Sequence, residues 1–361
     1  MSRFNFKSHL FFALAFCMGW TLIAGSVIGQ TATSRIVGYN STTCLGGSDT
    51  FVSIPFHQAP AYSGSVEAQV QFNNAAATVE ASGTPGWTAN QFAGTHYVKF
   101  TTGSASGLIL EISANTANSF TVDPTGFGSI PVRADDRFLI IPHWTLATLL
   151  PPATQATLHQ STGSLLPQRG SELLFYETTS EGVEPAPGRI YYATSSGWFQ
   201  NETGAAADNV VIPPHSAFIV RHQTGTANTF FRPAAHVDVN LSAVLIASKQ
   251  GQAHDNILAI IRPIPVQLDE LGLTTQNFRS SSGTGEAQRK DEILIFDNAA
   301  VGHNKVETAR YFFFANTWRL DDGASYPVSN DIELSAGSVV VIRKVADSTN
   351  RSFTWSNAPN Y

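Results

Sequence analysis

Glu172-Leu-Leu-Phe-Tyr and, 120 residues on, Glu292-Ile-Leu-Ile-Phe open two stretches that repeat one another imperfectly, from Glu172 to Pro233 and from Glu292 to Pro359. Arg189-Ile-Tyr-Tyr is answered by Arg310-Tyr-Phe-Phe, Trp198 by Trp318, Ser216-Ala-Phe-Ile-Val-Arg by Ser338-Val-Val-Val-Ile-Arg, and Phe230 by Phe353. The offset drifts from 120 to 123 only across turn residues, as it does when loops change length on a shared set of strands. What repeats is strand material and aromatic anchors. No catalytic signature falls inside either copy.

The repeated runs are short, apolar and bounded by Gly, Pro, Asn, Asp or Ser, so the chain reads as all-β: tandem β-sandwich or small β-barrel units with short helices in the connections. Arg189-Ile-Tyr-Tyr-Ala, Ser195-Ser-Gly and Trp198-Phe-Gln form a hairpin pattern, whose turn copy two is expected to shorten to Asn316-Thr317. Val339-Val340-Val341-Ile342 is apolar without alternation, the pattern of a central strand covered on both faces. Leu108-Ile-Leu-Glu-Ile and Ser119-Phe-Thr-Val, flanking Asn115, read as a further hairpin.

Extended toward the N-terminus, the repeat aligns Asp136-Arg-Phe-Leu-Ile-Ile with Asp255-Asn-Ile-Leu-Ala-Ile, each followed by a short helix, at 144–150 and 266–271. Asp49-Thr-Phe-Val-Ser-Ile-Pro echoes the same motif and is expected to begin a third, diverged relative. The predicted organisation is an N-terminal β-unit over 30–135, a first repeated unit over 136–250 and a second over 251–361. Pro151 to Gly170 and Thr274 to Lys290 are rich in Ser, Thr, Gln and Gly and are expected to be long exposed loops.

Arg3 and Lys7 precede an apolar run from Leu10 to Ile23 and then small residues ending in Val27-Ile28-Gly29, the pattern of a secretory signal over 1–29 cut before Gln30. The expected location is therefore secreted or extracytoplasmic, with no stable membrane span after cleavage. Removal of Arg3 and Lys7 leaves 19 basic against 27 acidic residues, which argues against nucleic acid as a partner. Cys44 is the one cysteine beyond the signal, so stability must come from burial rather than a disulfide.

The search for chemistry yields little. The histidines show neither His-x-His nor His-Glu-x-x-His spacing, and no metal or cofactor is expected. Asp321-Asp322-Gly323 reads as an acidic turn, and Gly103-Ser-Ala-Ser-Gly has alanine where a nucleophilic serine would stand. Glu172 and Glu292, the acids common to both copies at a strand start, read as structural. Among the tryptophans, Trp198 and Trp318 repeat and are assigned to cores. Trp87 in Gly-Trp-Thr-Ala-Asn-Gln-Phe and Trp355 in Thr-Trp-Ser-Asn lie in polar surroundings and are the ligand-binding candidates.

Gly47-Ser-Asp-Thr-Phe-Val-Ser-Ile-Pro-Phe, Trp144-Thr-Leu, Asp291-Glu-Ile-Leu-Ile-Phe-Asp-Asn, Asn304-Lys305, Trp318-Arg319, Arg343-Lys344 and the ending Asn357-Ala-Pro together resemble a family of secreted, uncharacterised proteins from Verrucomicrobia and related bacteria. Where that family tends to show Gly-Asp before the middle strand, this chain has Asp135-Asp136. The resemblance implies secretion and a β-rich fold and carries over no activity. The expected function is a non-enzymatic cell-envelope, matrix or adhesin-like component binding an extracellular glycan or envelope protein. The alternative is an extracellular polysaccharide-acting hydrolase or lyase, its two acids brought together from distant strands.

Overall fold

The computed structural model describes residues 36–176, 182–260, 262–273 and 278–359. The expected signal segment lies outside them, as does 274–277 at the head of the second expected loop. Strands make up 42% and helices 4%, in many antiparallel sheets, so the chain is all-β. No helix among the described residues is long and apolar enough to cross a membrane.

Repeat two is built on a five-stranded sheet in the order His254–Ala259, Val339–Lys344, Glu292–Ile295, Ala309–Phe314, Thr317–Leu320. Two ribbons flank it, Ser242–Ile246 with Phe353–Asn357 and Val266–Gln267 with Glu333–Leu334. Repeat one has the same plan: Asp49–Ser53, Ala217–His222, Ser171–Phe175, Arg189–Thr194, Gly197–Gln200, flanked by Thr42–Cys44 with Thr229–Phe231 and by Trp144–Thr145 with Val211–Ile212. Continuous burial along Asp49–Ser53 and Ser171–Phe175 explains their unbroken runs: both faces of the sheet are covered.

The strand opening repeat one corrects the sequence alignment. Asp49–Ser53, expected to begin a third relative, is the edge strand of repeat one and pairs with Ala217–His222 from Ser53↔Ala217 to Asp49↔Arg221. Its counterpart is His254–Ala259, which pairs with Val339–Lys344 from Ala259↔Val339 through Asp255↔Arg343 to His254↔Lys344. Arg137–Pro142, expected to open repeat one, instead lies between Tyr62–Ser65 and His96–Phe100 in a separate six-stranded sheet. Asp49 and Asp255 are 206 residues apart, against 120 to 123 for the matched pairs that follow the insert, because the segment from Gln58 to His143 is inserted into repeat one after its first strands. The insert carries the expected hairpin, Ile109–Asn115 with Ser119–Val122, and a core of its own around Phe72, Phe92, Phe100, Phe120 and Phe138. An Asp followed by apolar residues fits any well-buried strand, and such a motif says nothing about which strand lies beside it. The boundaries near 135 and 136 are redrawn accordingly.

The aromatic hairpins match more closely than expected. Thr194↔Gly197 and Phe314↔Thr317 both close two-residue turns, so copy two has not shortened. Its turn residues are Ala315 and Asn316, with φ of 50° and 60°, a type I′ arrangement. Trp198 and Trp318 are fully buried in the cores of their own repeats. The expected short helices are present as Leu146–Leu149 and a 3₁₀ turn over Leu268–Leu271. The expected long loops are partly buried. Leu158 and Phe278, at matching places, plug the two cores, while Arg169 Nε and Arg289 Nε each donate 3.0 Å to a carbonyl five residues back, Ser164 and Thr284. A single apolar anchor in a polar run is hidden by the average composition.

The repeats join reciprocally. Asp49 is held by Nε and Nη2 of Arg221 at 2.7 Å, and Asp255 by Nε and Nη2 of Arg343 at 2.8 Å. Each fork is then covered by a loop of the other repeat: Asp49 N donates to Gly302 O and Asn304 N to Asp49, while Asp255 N donates to Gly182 O and Glu184 N to Asp255. Asn298 pairs with both the N–H and the C=O of Phe51 at 2.8 Å, closing the otherwise open edge of Asp49–Ser53. Phe51 and Phe296 stack between the sheets with centroids 4.4 Å apart. A contact in which residue i of one copy meets j of the other, and j meets i, has the logic of a two-fold dimer interface folded into one chain.

Candidate functional site

The acids that sequence reading weighed for catalysis are closed by basic partners. Glu172 is bound by Arg169 and Gln223, and Glu292 lies 3.5 Å from Arg310 and 3.8 Å from Arg289. Burial raises the Glu292 carboxyl above its ordinary range, against the pull of Arg310 and Arg289. Asp322 turns back on its own loop and accepts from the amides of Ala324, Ser325 and Tyr326, so Asp321-Asp322-Gly323 is an acidic turn. Among the described residues no cluster of three or more His, Cys, Asp or Glu could hold a metal. Cys44 is buried in the core of repeat one, and burial pushes its thiol up to about 11.

Neither tryptophan expected at the surface is there. Trp87 is 8% exposed and packs edge-on against Tyr62 and Phe92 in the insert core. Trp355 is 1% exposed, and its indole N–H donates 2.6 Å to Leu271 O at the end of a 3₁₀ turn. Trp198 does the same for Leu150 O at 3.0 Å. A polar tip satisfied by a backbone carbonyl lets the large ring be buried, and polar neighbours in sequence then point away from it. Expected exposure is thus overturned for both candidates.

The exposed aromatics lie elsewhere. Residues 37, 39, 41 and 43 alternate outward along Val37–Tyr39 and Thr42–Cys44, opposite the outward 230, 232 and 234 of the paired strands. Tyr39 is 81% and Phe230 45% exposed, and the Arg232 guanidinium lies 4.3 Å from the Phe230 ring centre. Period-two alternation in Val37-Gly-Tyr-Asn-Ser-Thr-Thr was the available signal. It is weak because the intervening positions, Gly38, Asn40 and Thr42, are not apolar.

A second feature lies where the insert meets both repeats. A groove of about 420 Å³ is lined by Glu111 and Phe127 of the insert, by Tyr176, Tyr191 and His215 of repeat one, and by Asp255 of repeat two. Behind it, sharing Pro213, Pro214 and His215, is a smaller cavity of about 50 Å³ reaching Tyr97, Lys99 and Asp238. Lys99, fully buried on the insert strand His96–Phe100, pairs with Asp238 in the connection between repeats, and both bond Ser242 Oγ at 2.8 Å. Burial presses the Lys99 ammonium below its ordinary range, with Asp238 opposing.

His215 is the unusual residue. Its backbone is left-handed, φ 63°, and the matched Gly337 has φ 67°. Neither of its ring nitrogens is exposed and neither has a hydrogen-bond partner in the protein. Burial, with Lys99 adding to it, lowers the imidazole to about 4, so the ring is neutral at neutral pH. Unmade hydrogen bonds at a buried polar group cost about 1–3 kcal/mol, and a left-handed backbone at a residue with a Cβ about 1–2 kcal/mol. Two local costs at one side chain beside a groove make His215 a candidate functional position. The sequence offers one signal here: His215 flanks a strand at the place where the other copy has Gly337.

No protein-family model, curated protein or solved structure matches the chain, so function has to be argued from the site itself.

Proposed function

We propose that this chain is an exported, non-enzymatic β-protein of the cell envelope or extracellular matrix that acts by binding glycan. The observation that carries the reading is the outward face of the ribbon formed by 37–44 and 229–237, where Tyr39, Phe230 and Arg232 stand among Ser41 and Thr43. Exposed rings offer stacking surface to sugar faces, and the guanidinium and hydroxyls supply hydrogen bonds. The ribbon is held rigid from below by buried Cys44, Phe231 and Val237. Arginine forks on Asp49 and Asp255, and the ion pairs of Glu172 with Arg169 and of Glu292 with Arg289 and Arg310, support a structural role for these acids rather than a catalytic one.

A glycan array combined with a polysaccharide-degradation screen tests this reading. The expected result is millimolar to micromolar retention of at least one glycan without chain shortening, lost in Tyr39→Ala and Phe230→Ala. Release of shortened products would instead support the polysaccharide-acting hydrolase or lyase. Absence of any bound or cut polymer would end both sugar readings and favour a protein partner.

A further inference from the structure

We propose that the groove where the insert meets the two repeats binds a neutral, hydroxyl-bearing ring of about monosaccharide size, recognised by His215. This site is separate from the ribbon and does not depend on its reading.

Size comes first. About 420 Å³ lies within the range of small-molecule sites, which favour the junctions between domains. Phe127, Tyr176 and Tyr191 give the walls aromatic surface against which the C–H face of a saturated ring can rest. The charged residues that line it carry no excess of either sign: Asp255 is closed by Arg343, and Glu111, which accepts from His143 Nε2 at 2.7 Å, shares the lining with Arg189. A ligand therefore needs no net charge to enter.

His215 fixes the chemistry. A neutral imidazole presents one N–H donor and one lone pair, and a hydroxyl can answer either. Neither ring nitrogen is open to solvent or has a protein partner, so a hydroxylated ring in the groove, met by a small turn of the His215 side chain, would satisfy groups that the fold leaves unanswered. The matched position makes the point sharper. A Cβ on Gly337 would meet Asn40 Nδ2 at 2.8 Å and displace that side chain, so repeat two has glycine where the left-handed conformation favours it. Repeat one carries a full imidazole in the same left-handed conformation, at the one junction that the insert, through Phe127 and Glu111, helps to build. Among the described residues the six-stranded sheet of the insert has no counterpart in repeat two, so the matched junction lacks the walls that Phe127 and Glu111 supply.

The ring could arrive as a free sugar or cyclitol, or as the end of a longer glycan. Calorimetry and thermal-shift titrations with methyl pyranosides, myo-inositol and glucuronate, and with matched oligosaccharides, separate these sources. Neutral rings are expected to bind the full protein and raise its melting temperature, and glucuronate to bind at least tenfold more weakly. If only the oligosaccharides bind, the ring is a glycan terminus. His215→Gly, which copies the residue of repeat two, should fold with an equal or higher melting temperature and lose at least tenfold in affinity. Tyr39→Ala should leave this binding unchanged. Imidazole ¹⁵N shifts of His215 should move on saturation with the tightest ring. Binding by His215→Gly equal to that of the native chain, preference for glucuronate, no binding by any neutral ring, or His215 shifts unmoved at saturation would each overturn the proposal.

Discussion

Position for position, the two repeats solve one packing problem in two ways. At the end of the sheet nearest the long loops, repeat one places Ser171 against His222, Oγ to Nδ1 at 2.7 Å, with Nε2 bonded to Thr229 at 2.7 Å. Repeat two places Asp291 against Lys344, a fully buried ion pair whose carboxylate also accepts from the amides of Arg279 and Val345. A neutral network and an ion pair thus occupy the same site in one topology. The backbone plan does not dictate the chemistry of its buried polar groups, only that they be satisfied. What tolerates the exchange is the shared frame of aromatic core and arginine forks.

The largest expected effects come from breaking that frame or the ion pair. Trp198→Ala and Trp318→Ala should each destabilise their own repeat by about 3–5 kcal/mol, read by chemical denaturation with hydrogen exchange locating the loss. Asp291→Ala alone should cost about 3–5 kcal/mol because it strands a buried ammonium. The double variant Asp291→Ser, Lys344→His, which grafts the solution of repeat one, should recover most of that loss. If the double variant is as unstable as the single one, the two sites are not interchangeable and the comparison fails.

Acid should separate the repeats next. His222 is lowered to about 4, by burial first and His159 second, and His215 to about 4 by burial. Both are in repeat one, and the matched positions carry Lys344 and Gly337. A histidine held neutral in the fold binds its proton more readily once unfolded, so its contribution to stability is complete above the unfolded value near 6.5 and is lost as pH falls toward 4. On the order of 3 kcal/mol per group is at stake. Hydrogen exchange between pH 7 and pH 4 should show protection falling first in Ser171–Phe175 and Ala217–His222. Earlier loss in repeat two would contradict the assignment.

The smallest effect concerns the shared edge. Asn298→Ala removes two hydrogen bonds to Phe51 and should cost about 1–2 kcal/mol, with faster exchange confined to Asp49–Ser53.

Much of this comparison was legible in the sequence, because strands with paired aromatics keep their spacing while turns drift. The fold class, the aromatic hairpins and the buried Trp198 and Trp318 all follow from local pattern. The insert was not legible. Asp49-Thr-Phe-Val-Ser and Asp136-Arg-Phe-Leu-Ile are both apolar runs headed by aspartate, and only the partner strand distinguishes them. Trp355 misled because its polar neighbours in the strand point the opposite way and its indole N–H is satisfied by a carbonyl inside the core, and Trp87 because a connection with exposed neighbours turns its one large ring inward. His215 gives no sequence signal beyond standing opposite a glycine. Its meaning depends on φ and on what lies around the ring.

The central claim is that repeat one begins at Asp49, on the far side of an inserted domain, and not at Asp136. A double-mutant cycle measures it directly. Asp49→Ala and Arg221→Ala should show a coupling energy of about 1.5–3 kcal/mol in equilibrium unfolding, as a bidentate, largely buried pair would. Asp136→Ala with Arg221→Ala should be additive within about 0.5 kcal/mol. Additivity for Asp49 with coupling for Asp136 would contradict the account and restore the uninterrupted repeat.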